Sequence, residues 1–389
     1  MDSDRVVQFT QAYRNLQLFP LLKAEEIEKF RIPYGQRTMG RLKQAILAAE
    51  ADGKLIFTGH RGCGKSTLLA ALDRQLVDAG LFVSRFSMAD TVELSDVNYV
   101  NILYAIALQL LSQATKQRVP IPEKTKMTLT KWFTQTKSRT YTEQLGQEFS
   151  AGADLYGFIT GKLQTEHAFR EEIRETYQRR ISDLSKQIDL IAAAIQTTTQ
   201  KEVLVMIDDL DKLALPAARS IFGDNIRTLM TPNIRVVFTI PIAVIREPTL
   251  MTTLESESDL MLLSVTKFFP QAVAHQDNPV PIEENVTLLE EVLKKRIPDE
   301  LMEPETRRKL VLLSGGVLRE LVRLAQECCQ ECLVELDLDP ENTDIKINDA
   351  ILQTAAKSLR NQFARALGSN LYDVLVETYK NFTPPDIRS

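Results

Sequence analysis

The sequence predicts an α/β fold, a parallel sheet of five strands with helices between them, followed by an all-helical C-terminal part. Three observations carry that expectation. Short apolar runs alternate with helix-prone stretches, as in a parallel sheet covered on both faces. A glycine-rich turn follows the first run directly, and a later run ends in three carboxylates, the end of a strand where sheets of this kind hold ligands.

Residues 32–37 lead into a helical stretch at 39–50, and residues 54–58 (Lys-Leu-Ile-Phe-Thr) form the first apolar run. The next nine residues, Gly59, His60, Arg61, Gly62, Cys63, Gly64, Lys65, Ser66 and Thr67, match the G-x-x-x-x-G-K-[ST] phosphate loop at every required position. Glycines let successive backbone N–H groups converge on one anion, and the helix that follows presents its positive end. Strand, loop and helix stand in the required order, so a nucleoside triphosphate is the expected ligand. Lys65 is placed on the β and γ phosphates and Ser66 on Mg²⁺. Cys63 is expected close to the bound phosphates, where a thiol reagent could block the site.

Residues 81–87 supply the second strand. Residues 202–212 (Glu-Val-Leu-Val-Met-Ile-Asp-Asp-Leu-Asp-Lys) read as a Walker B strand. Asp208 at its end is placed on Mg²⁺ through water, and Asp209 beside the attacking water as general base. Asp211 is expected to cap the next helix more than to act in catalysis. Residues 234–241 and 260–265 give the fourth and fifth strands.

The loop Gly-x-x-Gly-x-Gly-Lys-Ser-Thr joined to a strand ending Asp-Asp-Leu-Asp-Lys resembles the AAA+ P-loop ATPases, and within them the STAND and KAP-type NTPases. The resemblance spans residues 30–334. It implies an adenine-side entry segment at residues 32–37, a sensor 1 hydroxyl at Thr239, and a nucleotide-dependent homo-oligomer. In the turn and helix of residues 314–324 it implies a sensor 2 arginine, with Arg319 the first choice and Arg323 one turn on. A trans-acting arginine finger falls before the fifth strand, where Arg246 is the only arginine between Pro241 and Leu260. Threonine also simply suits a strand, and Arg246 also reads as an ordinary surface charge.

The domains read as an N-terminal helical segment (1–29), an ATPase domain (30–270) with a helical insertion at about 98–200, a helical lid (281–334) and a helical tail (335–389). In the insertion, residues 99–111 form a core helix. A less ordered stretch (123–161) follows, and then one long helix striped by Phe169, Ile173, Tyr177, Ile181, Leu184, Ile188, Ile191 and Ile195. That stripe reads either as a helical hairpin packed on the core or as a protruding arm for a partner. In the KAP group an insertion here carries membrane helices, but residues 155–163 are too short and the long helix too charged for that.

Hydrophobic residues make up 44% of the sequence and charged residues 25%, a globular composition, and the net charge of −5 argues against a broadly basic surface. The acidic N-terminus lacks a secretory layout, so a cytoplasmic location is expected. Cys328, Cys329 and Cys332 fall within one helical stretch and read as core. In ATPases of the kind resembled, a winged-helix or other readout module begins at the tail, and the sequence stops before one could be completed, so either the effector is a separate chain or the sequence is cut.

Three functions fit: an ATP-hydrolysing switch that signals to a partner protein, as in bacterial antiphage defence; a DNA loader or remodeller using Lys124, Lys126, Lys131, Lys137 and Arg139; and a scaffold that binds ATP without turnover.

Overall fold

A computed structural model describes residues 4–122, 127, 155–342 and 344–385. The basic residues named between 124 and 139, and Trp132, lie outside them. In chain order, helices α1 (Asp4–Asn15), α2 (Ala24–Phe30) and α3 (Gln36–Ala48) precede β1 (Lys54–Gly59), α4 (Lys65–Asp78), β2 (Phe82–Ser87) and α5 (Tyr99–Lys116). The insertion continues with α6 (Leu155–Thr165), α7 (His167–Gln178) and α8 (Ile181–Thr199). Then come β3 (Val203–Asp208), α9 (Leu215–Arg219), α10 (Ile226–Leu229), β4 (Arg235–Ile240), α11 (Pro248–Glu257) and β5 (Asp259–Leu263). The C-terminal helices are α12 (Glu283–Lys294), α13 (Pro304–Leu313), α14 (Leu318–Leu338), α15 (Asp349–Ala366) and α16 (Ser369–Asn381).

The chain divides into two compact units, one of residues 1–19, 29–32 and 266–389, the other of residues 20–28 and 33–265. The second holds the sheet, with strand order β2-β3-β4-β1-β5 and every pairing parallel. This is the expected parallel sheet of five strands with helices between them. Strands β1, β3 and β4 are buried along their whole length, which is why they read as continuous apolar runs rather than alternating ones. Register brings Ser87 of β2 beside Asp208 of β3, and Phe57 of β1 beside Thr239 of β4.

At the N-terminal edge of this sheet two buried cations satisfy carbonyls that no strand can. The Lys54 ammonium donates to Asp52 O, and at 3.0 Å to Pro232 O and Ile234 O. Burial pushes its pKa down to about 8. Arg235 donates to Ala49 O and Glu50 O at the C-terminal end of α3 and pairs with Glu202.

The described helices of the insertion pack on this unit. The insertion's stripe is not one helix, as its period suggests: α7 closes at Gln178 and α8 opens at Ile181. The amides of Arg179 and Arg180 both return to Tyr177 O, and Arg180 Nε donates to Asp183 in the first turn of α8. The break lets both segments turn their apolar residues onto α5, with Phe169, Ile173, Leu184, Ile188, Ile191 and Ile195 fully buried in one cluster with it. The rings of Tyr104 and Tyr177 lie 5.6 Å apart across that contact. Buried Arg170 fixes the start of α7. It donates to Leu163 O and Gln164 O at the end of α6 and, at 2.9 Å, to Asp96 in the turn after β2.

In the other unit α1 and α15 pack on α14, whose Cys328, Cys329 and Cys332 are fully buried. Gly316 precedes α14 with φ 79°, and a Cβ there would stand 1.8 Å from Thr266 O, so only glycine fits. The tail helix α16 exposes Leu371, Tyr372, Leu375, Val376 and Tyr379. Among the described residues no helix is long and apolar enough to cross a membrane.

Because the stripe is core, Ile188→Ala is expected to cost about 2–5 kcal/mol of unfolding free energy. Urea melts check this, and a cost near zero would mean the stripe faces solvent.

Candidate functional site

The phosphate loop runs from the C-terminal end of β1 into α4, and its shape follows from three glycines. A Cβ on Gly59 would lie 2.5 Å from Leu263 O of β5 and 3.1 Å from Cys63 Sγ, so a side chain there would push the loop off the sheet. Gly62 and Gly64 have φ of 85° and 91°, a left-handed conformation that turns the chain into the helix. Gly64 O accepts the amide of Leu68, leaving the first N–H groups of α4 open to an anion at the positive end of a 14-residue helix.

Lys65 is buried, and its ammonium has three partners: Gly59 O at 2.8 Å, His60 O at 3.0 Å and the Asp211 carboxylate at 2.8 Å. That corrects the expectation that Asp211 caps the following helix. Ala214 holds the position before α9, and Asp211 lies in a short 3₁₀ turn (Leu210–Lys212) facing the loop. A second tie runs from Arg61 Nη2 to Lys212 O at 2.8 Å.

The Ser66 hydroxyl donates to Asp208, which ends β3 and also accepts the amide of Asp209 at 2.8 Å. Burial, and after it the neighbouring Asp209 carboxylate, raise the Asp208 carboxyl above the ordinary aspartate range. Carboxylate oxygens of Asp208, Asp209 and Asp211 lie within 4.8 Å of one another. With the Ser66 hydroxyl they form an all-oxygen donor set, which suits Mg²⁺.

Asp209 has φ 68°, in the left-handed region that aspartate tolerates better than most residues. Its carboxylate accepts from Ser87 Oγ at 2.7 Å and pairs with Lys212 at 2.7 Å. Ser87 and Lys212 are therefore the site residues that motif reading passes over. The available signal was a serine closing an apolar strand, but its neighbour becomes evident only once β2 pairs with β3.

Thr239 is fully buried. Its hydroxyl donates to Ile207 O and accepts from the amide of Leu210, both at 3.1 Å, so it braces the turn bearing the aspartates. Thr67 accepts the amide of Leu21 at 2.9 Å, which ties the N-terminal segment to α4. Cys63 is fully buried and its thiol is pushed up by burial, which overturns the expectation of a reagent-accessible cysteine. His60 and Arg61 are exposed. In the entry segment Gly35 has φ 65° and opens α3, while the Tyr34 hydroxyl donates to Ser264 O at 3.2 Å. Arg246 is exposed in a 3₁₀ turn after β4 and Arg319 is exposed in the first turn of α14, in the other unit. Neither makes an ion pair among the described residues.

No protein-family model matches the sequence, and no curated protein matches it. Solved structures are similar in chain trace. The ORC1 protein of Aeropyrum pernix, in a complex with DNA, shares 11% identity at a TM-score of 0.45, over 92% of this chain and 75% of that one. A Walker-type ATPase of Pyrococcus abyssi shares 13% at 0.39, over 90% of this chain and 81% of its own. Cdc6p of Pyrobaculum aerophilum shares 11% at 0.39, over 83% and 66%.

Two outcomes follow from this geometry. All four cysteines are free and buried, so an aromatic disulfide reagent should find no fast-reacting thiol in the native chain and four after denaturation. Asp208 holds its proton more tightly folded than unfolded. Its contribution to stability is therefore greatest in acid and is lost as the pH rises through its raised value. At neutral pH Asp208→Asn removes that buried charge and should raise the Tm of the nucleotide-free chain. Thermal melts at pH 7 decide it, and a lowered Tm would contradict the burial argument.

Proposed function

We propose that this chain binds ATP with Mg²⁺ and hydrolyses it to ADP and phosphate, as an AAA+/STAND-like switch that assembles on nucleotide and signals to a separate effector protein. One observation supports this most. At the C-terminal ends of β1 and β3 a single crevice gathers the open amides of α4, the Lys65 ammonium, the Ser66 hydroxyl bonded to Asp208, and the carboxylate of Asp209.

The chemistry follows from those groups. Backbone N–H groups of residues 59–67 hold the phosphates, and Lys65 neutralises charge on the β and γ groups. Ser66 and Asp208 would hold Mg²⁺, which would supply positive charge against that developing on the transferred phosphoryl. Asp209 takes the proton of the attacking water, whose oxygen bonds to the γ phosphorus as the bond to the β-phosphate oxygen breaks. Thr239 keeps the Asp208–Asp209 turn in place from β4. Ser87 on Oδ2 and Lys212 on Oδ1 orient the Asp209 carboxylate and leave a lone pair on each oxygen for the water. Exposed Arg246 is the group a second copy of the chain would meet as a finger, and Arg319 is the sensor 2 candidate.

Purified protein with Mg-ATP should release phosphate. Asp209→Ala should keep ATP affinity, lower kcat about 10²–10⁴-fold and hold the nucleotide-bound assembly together. Absence of phosphate release from the wild type, alone and with DNA, would leave a non-hydrolysing scaffold instead. Salt-sensitive stimulation by DNA would point to a loader.

A further inference from the structure

Every hydrogen that the Lys65 ammonium can donate is already engaged. An ammonium has three donors, and here they go to Gly59 O, His60 O and the Asp211 carboxylate, at 2.8, 3.0 and 2.8 Å. The first two acceptors belong to the loop itself and move with it. Asp211 belongs to a different element, the turn after β3, and is the only charged one of the three. Both partners are buried, with side-chain exposures of 5% and 9%, so the pair is not a surface contact that solvent exchanges freely.

We propose that Asp211 is a latch: in the nucleotide-free protein its carboxylate takes the place on Lys65 that phosphate occupies later, and it is released to the metal when phosphate arrives. The inference rests on the reading of the loop as an ATP site. Phosphate oxygens draw the ammonium away from Asp211. The freed carboxylate, whose oxygen lies within 4.8 Å of those of Asp208 and Asp209, becomes available to a Mg²⁺-bound water. Nucleotide and Mg²⁺ are thereby coupled through one side chain. Nucleotide without metal must displace the latch and leave three carboxylates crowded together, whereas nucleotide with metal gives the displaced carboxylate a new partner. Coupling of this kind is reciprocal. Asp211 acts through Lys65 and the metal, so it is a positioning residue and not the base.

The test is nucleotide binding to the full chain, measured by calorimetry with ATP and with ADP in EDTA and then with ADP and Mg²⁺, for the wild type, Asp211→Asn and Asp211→Glu. Asp211→Asn should bind metal-free ATP about tenfold more tightly than wild type, the net worth of one charge-assisted hydrogen bond. The factor by which Mg²⁺ tightens ADP binding should shrink, and Asp211→Glu should restore part of that factor. A purely structural Asp211 would weaken binding in both media. Metal-free affinity of Asp211→Asn equal to or below wild type overturns the latch. So does failure of Asp211→Asn to fold, because a fold that must release this pair on binding nucleotide has to survive without it. Wild-type protein that binds no nucleotide in either medium would instead overturn the ATP reading itself.

Discussion

Three carboxylates at the end of one strand repel each other, and much of the second unit is arranged around that repulsion. Asp208, Asp209 and Asp211 have oxygens within 4.8 Å of one another in a crevice that is mostly shielded from water. Each is answered from a different part of the chain: Asp208 by Ser66 of α4, Asp209 by Ser87 of β2 and by Lys212, Asp211 by Lys65. Thr239 of β4 braces the backbone beneath them. Strand order makes this possible, since β3 lies between β2 and β4, and β4 in turn adjoins the strand that delivers the phosphate loop. Burial first, and the neighbouring carboxylates after it, raise the Asp208 carboxyl above the ordinary aspartate range.

The parts of this site legible in the sequence were those written in consecutive residues. Gly59 to Thr67 and Asp208-Asp209 carry their chemistry in local spacing, and the apolar runs around them gave the strands to within a residue or two. What spacing could not show was pairing across elements. Asp211 read as a helix cap because caps are local, whereas its partner stands 146 positions away in the sequence, Lys65 against Asp211. Cys63 read as exposed because phosphate loops are exposed; it is buried because the loop closes over the end of β5, the same approach that excludes a side chain from Gly59. The insertion fails differently. Its apolar period continues through Arg179 and Arg180, so the stripe hides a helix break that only packing against α5 requires.

The two ends of the sheet use cations in opposite ways. At the N-terminal edge Lys54 and Arg235 are held by backbone carbonyls and by Glu202, with no vacancy for a ligand, and they close off strand ends and a helix terminus. At the C-terminal edge Lys65 is held partly by carbonyls and partly by a carboxylate that another anion can replace. The same residue type is a fixture at one edge and exchangeable at the other, and the difference lies in whether a charged competitor shares the acceptors.

The left-handed backbone at Asp209 has a consequence for which sequences this turn can accept. Aspartate and asparagine tolerate that conformation better than longer or branched side chains do. Exchange of Asp209 for glutamate would therefore keep the charge while straining the main chain, and would carry the carboxylate past Ser87. Here a single position must satisfy a backbone shape and a proton acceptor together, so chemical similarity alone is a poor guide to what can replace it. Homologous chains that place a longer acid at this point would need a differently shaped turn after β3.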